Sequence, residues 1–118
     1  MHKTLTILYV DDEPINLMLF AENFGKSRKI LTASSGQEGL DILRSNTDVS
    51  IVISDFKMPE MNGVQFIKIA KKEFPDIIFY ILTGYDINDE IEDCLNNKII
   101  SDYFSKPFNR SAIEAALS

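Results

Sequence analysis

The stretch ILYVDDEP, residues 7–14, passes from Ile, Leu, Tyr and Val straight into three acidic side chains and a proline. The apolar half reads as a buried strand. Its end sets Asp11 and Asp12 side by side, with Glu13 adding to the repulsion. Two unit charges about 4 Å apart interact by roughly 4 kcal/mol at an effective dielectric near 20. So much negative charge at the end of a buried strand raises the question of what balances it.

Outward from this stretch, apolar runs alternate with helical patterns. LTILYV (5–10), ILTA (30–33), VSIVIS (49–54), IIFYIL (77–82) and DYFS (102–105) read as strands. The third and fourth are nearly continuous in Ile, Val and Phe, as expected of parallel strands covered on both faces. The second is short and follows SRK, which suits a sheet edge. Helices fit the intervals 14–24, 36–45, 63–73, 87–96 and 110–117. Pro14 suits a first helical position. Ser35 with Glu38 has the spacing of a capping box, and Asn62 and Asn109 stand where caps belong. Five β-α units in succession predict an α/β fold: a doubly wound, five-stranded parallel sheet with helices on both faces. Ligands of such sheets bind beyond the carboxyl ends of the strands.

Bulk properties narrow the function. The chain has 118 residues, 45% hydrophobic and 25% charged, which predicts one globular domain over residues 1–118. Its net charge of −6 argues against a nucleic-acid role, since nothing here neutralises phosphates. The single cysteine, Cys94, has no internal disulfide partner, suits a reducing cytoplasm, and reads as a small core residue. MHKTLTILYV lacks the pattern of a signal peptide, and no apolar run is long enough for a membrane span.

The ends of the predicted strands carry the chemistry. The first ends in Asp11 and Asp12, the third in Asp55 (VISDFKMPEMNG), the fourth in Thr83 (ILTGY) and the fifth in Lys106 (FSKPF). These residues are far apart in sequence, so local loop composition does not explain their common position. Taken singly, each has a plain reading: Asp-Asp as a solvated turn, Thr83 as a strand terminator, Lys106 as a loop lysine. Together, carboxylates gathered on one edge make a site for a hard divalent cation, and Mg²⁺ takes one or two carboxylates plus phosphate oxygens. Lys106 supplies a fixed countercharge.

VDDE, SDFKMPEMNG, LTG and KPF, in that order after strands one, three, four and five, resemble the receiver domain of two-component response regulators across essentially the whole chain. The resemblance implies a flavodoxin-like three-layer sandwich with strand order 2-1-3-4-5. It implies Asp55 as phosphoacceptor, taking a phosphoryl group from the phosphohistidine of a partner histidine kinase or histidine phosphotransfer protein. It further implies Mg²⁺, with Mn²⁺ as an alternative, on Asp11, Asp12, Asp55 and the backbone carbonyl of Lys57. Thr83 would bind the phosphoryl group and Lys106 would pair with it. Pro107 matches a position that often follows a cis bond. Tyr103 matches an aromatic switch residue, against the plain reading of strand packing. Output would pass through the fourth helix, fifth strand and fifth helix.

Physical chemistry is compatible with this assignment. Phosphoryl transfer needs positioning and charge neutralisation more than acid–base chemistry, and a carboxylate can serve as the covalent nucleophile. The one histidine, His2, lies at the chain start and is not required. In the family that the chain resembles, the positions of Lys57 and Tyr85, each two residues past a site residue, tune hydrolysis of the acyl phosphate, and a long cation and an aromatic ring there imply a slowly hydrolysed phosphoryl state. Gly84 leaves room beside it. The first helix carries Ile15, Leu17, Met18, Leu19, Phe20, Ala21 and Phe24 nearly all round, so it is buried on two sides or exposes apolar area. The resemblance implies that the first helix docks the phosphodonor, which makes Ile15 and Met18 candidates for that contact. The acids around 86–93 read as a solvated helix face.

Three other classes compete. A non-phosphorylated binding module of the same fold would not need every site position filled. A hydrolase of the haloacid-dehalogenase type places its nucleophile after strand one as D-x-D, which DDEPI lacks. A flavodoxin-type cofactor binder would carry Ser, Thr and Gly there, to cradle a phosphate. The chain fits either a stand-alone receiver or a segment of a longer regulator or hybrid kinase.

Overall fold

In a computed structural model, residues 5–26, 28–84, 87–107 and 109–117 are described. Their order is β1 (Thr6–Val10), α1 (Pro14–Phe24), β2 (Lys29–Ala33), α2 (Gly36–Ser45), β3 (Ile51–Asp55), α3 (Gly63–Glu73), β4 (Ile78–Thr83), α4 (Asp89–Asn96), β5 (Asp102–Ser105) and α5 (Arg110–Leu117). The strands form one parallel sheet in the order β2-β1-β3-β4-β5. The expected fold class and strand order are therefore both present, and β2 is an edge.

Boundaries differ slightly from the sequence reading. β3 runs from Ile51 to Asp55 rather than over 49–54, so its last residue is Asp55 itself. Helix α4 begins at Asp89, because the Asn88 side chain accepts from the Ile91 N–H and ends the preceding loop. Ser35 caps α2 as expected, but Glu38 reaches back to the N–H of Ser34 rather than Ser35. On α3 the reciprocal capping box of Asn62 and Gln65 is complete. Asn109 accepts from the Ala112 N–H at the start of α5.

Side chains alternate across each strand, and this divides the core in two. Ile7, Tyr9, Ile51, Ile53, Tyr80 and Leu82 pack with Phe20 and Phe24 of α1 and with Ile113 and Leu117 of α5. Leu8, Val10, Val52, Phe79 and Ile81 pack with α2, α3 and α4 through residues such as Leu40, Phe66, Ile67 and Ile91. Cys94 belongs to the second cluster, and burial pushes its thiol up.

Two bidentate ion pairs staple surface segments: Arg28 to Glu114 of α5 and Arg44 of α2 to Glu73 of α3. Helix α1 exposes its apolar side rather than burying it twice. Ile15 is 65% and Met18 61% exposed, while Phe20 and Phe24 are buried. Asp89, Glu90, Glu92 and Asp93 lie on the solvated face of α4, and Asp86 falls outside the described residues. Among the described residues no helix is long and apolar enough to cross a membrane.

Candidate functional site

Sheet register brings the distant residues together. Val10 is level with Ser54, Asp55 with Leu82, and Thr83 with Ser105. Asp11, Asp55, Thr83 and Lys106 therefore reach the same carboxyl edge within one residue step. The backbone seals the arrangement: the Asp11 N–H donates to Ala33, that of Phe56 to Leu82 and that of Lys106 to Thr83. Asp11, Asp55 and Thr83 are buried.

One oxygen from each of Asp11, Asp12 and Asp55 lies within 4.8 Å of the others. The Lys106 ammonium bridges two of the three, 3.1 Å from Asp55 Oδ1 and 3.3 Å from Asp11 Oδ2. Three carboxylates facing one ammonium leave an excess of negative charge. Burial first, and then the charge of Asp11, push the Asp55 carboxyl up to about 6, against the opposing pull of Lys106. Burial works against the Lys106 ammonium, but its hydrogen bond and ion pair with Asp55, helped by Asp11, raise it above the ordinary lysine value. An all-oxygen donor set with surplus charge fits a hard divalent cation such as Mg²⁺.

Asp12, Glu13, Asp55, Lys57, Met58, Pro59, Gly84 and Lys106 line an open cavity of about 660 Å³ over these groups. Gly84 is exposed and lies against the stem of Lys106, with ordinary room for a Cβ. Gly63 has no such room, since a Cβ there would run into the Asp55 carbonyl oxygen. That close approach, with the Gly63 N–H donating to Phe56, seats α3 directly under the β3 end. The Lys106–Pro107 bond is cis, as the resemblance implied. Tyr103 is half-buried on β5 beside Ile81, and Lys57 is exposed at the cavity wall. His2 and Tyr85 lie outside the described residues.

Two residues at this site escaped the sequence reading. Tyr9 Oη donates to Asp11 Oδ2 at 2.7 Å, and Asn16 Nδ2 donates to the same oxygen at 3.1 Å. Burial, then the hydrogen bond to Asp11, push the Tyr9 hydroxyl above the ordinary tyrosine range, so it remains a donor. The signal was present in the sequence: residues 9 and 11 share one face of a strand. Within the apolar run, Tyr9 counted only as a core residue.

The chain belongs to the response regulator receiver domain family, whose model matches residues 7–118. It is 30% identical over 106 residues to the hydrogenase transcriptional regulatory protein HoxA of Cupriavidus necator, covering 90% of this chain and 22% of HoxA. It is 32% identical over 90 residues to a CheY chemotaxis homologue of Campylobacter jejuni, covering 75% of this chain and 68% of that protein. The response regulator TrrA of Thermotoga maritima, crystallised with Mg²⁺ and BeF, superposes with a TM-score of 0.83 at 28% identity, covering 97% of this chain and 96% of TrrA. The chain spans about a quarter of the length of the curated transcriptional regulators it matches. The family is one of two-component signalling whose receiver domains bind Mg²⁺ at an acidic pocket, and this chain carries an acidic cluster of Asp11, Asp12 and Asp55.

Proposed function

We propose that the chain is a phosphorelay switch in which Asp55 is the phosphoacceptor. A carboxylate oxygen of Asp55 attacks the phosphorus of a phosphohistidine on a partner kinase or phosphotransfer protein. The new P–O bond forms an acyl phosphate as the P–N bond breaks, and the electron pair stays with the leaving imidazole. Water later hydrolyses the acyl phosphate, releasing inorganic phosphate and restoring the carboxylate. The chain catalyses only these two steps on itself.

Asp11, Asp12 and Asp55, with the backbone carbonyl of Lys57, would hold Mg²⁺ or alternatively Mn²⁺. When bound, the metal neutralises charge on the phosphoryl oxygens. Lys106 pairs with the phosphoryl group once Asp55 is modified, and Thr83 donates a hydrogen bond to it. Lys57 at the cavity wall hinders water and lengthens the life of the acyl phosphate. Movement of Thr83 lets Tyr103 turn inward, which alters the surface of α4, β5 and α5 that an output partner reads. Residues 1–118 act as one receiver domain, alone or within a longer cytoplasmic regulator.

The observation that carries this reading is the Lys106 bridge between Asp11 and Asp55 at the floor of an open acidic cavity. Incubation with acetyl phosphate and Mg²⁺, followed by intact-mass measurement, tests it. Wild type should gain one phosphoryl group, and Asp55→Asn or chelation should abolish the gain. Modification that persists in Asp55→Asn would remove Asp55 from the role.

A further inference from the structure

Tyr9 takes no part in the chemistry above, yet its hydroxyl reaches the site. The side chain is buried, and its ring lies parallel to Phe20 of α1, centroids 4.2 Å apart and planes 2° apart. Phe20 in turn touches Phe24 at 4.6 Å. The ring is therefore gripped by α1, and its oxygen is aimed at Asp11.

Asp11 is unusual within the cluster because protein donors surround it. Oδ2 accepts from Tyr9 Oη at 2.7 Å, Asn16 Nδ2 at 3.1 Å and Lys106 Nζ at 3.3 Å. Oδ1 accepts from the Glu13 N–H at 3.0 Å. A carboxylate oxygen offers about two lone-pair sites, so three donors occupy Oδ2 fully. A buried tyrosine hydroxyl needs some acceptor, and a backbone carbonyl would meet that need. Here it is spent on the one fully buried carboxylate of the acidic cluster.

We propose that Tyr9 is a positioning residue of the metal site: with Asn16 it clamps Asp11 Oδ2, so that Oδ1 alone has a lone pair left for a divalent cation or its water. The inference rests on the reading that Asp11, Asp12 and Asp55 hold Mg²⁺. Partners that orient ligating carboxylates contribute about 10–100-fold to metal affinity when tested by mutation. The clamp also ties the setting of Asp11 to α1, because the ring of Tyr9 stacks on that helix and Asn16 belongs to it.

Tyr9→Phe keeps the stack on Phe20 and removes only the hydroxyl. Calorimetric titration of the metal-free chain with MgCl₂ alone, without phosphodonor, should give a Kd about tenfold weaker than wild type. Asn16→Ala should weaken it less, and the double variant should lose less than the two combined, since both donors act on one oxygen. An unchanged Kd in Tyr9→Phe overturns the proposal. A tighter Kd overturns it too, because the hydroxyl would then only be drawing charge from Asp11. Should Tyr9→Phe fail to fold, Asn16→Ala decides alone, and an unchanged Kd there has the same force. Asp12→Asn separates the two levels. No Mg²⁺ binding even by wild type defeats the cation site itself, and the clamp with it. Binding lost in Asp12→Asn but intact in Tyr9→Phe defeats the clamp alone.

Discussion

The two faces of the sheet do different work. On the face covered by α1 and α5, the strand alternation that buries Ile7 and Tyr9 continues into Asp11, and the one that buries Ile51 and Ile53 continues into Asp55. On the face covered by α2, α3 and α4, the row containing Ile81 ends in Thr83, and Tyr103 packs beside it. The buried charges thus grow out of one core and the two residues assigned to the response grow out of the other. Coupling to the helices differs as well. Helix α1 reaches Asp11 through the Asn16 side-chain hydrogen bond and through Phe20, on which the Tyr9 ring stacks, whereas α3 reaches Asp55 through backbone packing at Gly63.

The largest test of that contrast is a pair of core deletions. Phe20 and Phe66 are both fully buried, one on each face. Phe20→Ala and Phe66→Ala should each lose about 3–5 kcal/mol in chemical denaturation. Only Phe20→Ala should also weaken Mg²⁺ binding by calorimetry under folding conditions, because it frees the Tyr9 ring. Equal effects on Mg²⁺ from both would erase the distinction between the faces.

A second test uses pH on the metal-free protein. An unperturbed aspartate titrates at about 3.9, and Asp55 is pushed up to about 6. Between those values the folded chain holds a proton that the unfolded chain has released. Stability therefore falls as pH rises through that window. Asp55→Asn removes this dependence. In chelator, its stability advantage over wild type should be small near pH 4 and grow to at most about 3 kcal/mol by pH 7. A gap that does not vary with pH would mean that Asp55 carries no such strain.

The smallest expected effect concerns the outer side of α1. Ile15→Glu or Met18→Glu should slow transfer from a phosphohistidine protein about tenfold, or roughly 1.4 kcal/mol, and leave labelling by acetyl phosphate unchanged. Equal slowing with both donors would place the damage inside the site rather than at a docking surface.

Much of this architecture was legible beforehand. Continuous apolar runs marked the central strands, and Pro14, Ser35, Asn62 and Asn109 marked helix starts, because these signals act within a few residues. The Asp55 turn and the Lys106–Pro107 junction were legible as members of a repeated pattern at strand ends. The shorter α4 was not, since Ile87 fits the helical spacing and only the Asn88 cap moves the start to Asp89. The Arg28–Glu114 pair spans 86 positions, and no local rule links residues so far apart.

Residue order was enough to specify the five β-α units, the sheet they must form and the acids, hydroxyl and lysine delivered to its carboxyl edge. It could do so because periodicity and capping are local and crossover handedness is general. Tertiary structure alone decided that Tyr9 and Asn16 would share one oxygen of Asp11 and that Lys106 would bridge Asp11 and Asp55, whereas the outward position of Ile15 and Met18 was already among the sequence expectations. The shared oxygen and the lysine bridge depend on ångström-scale register between separate elements, and local sequence rules do not carry that information.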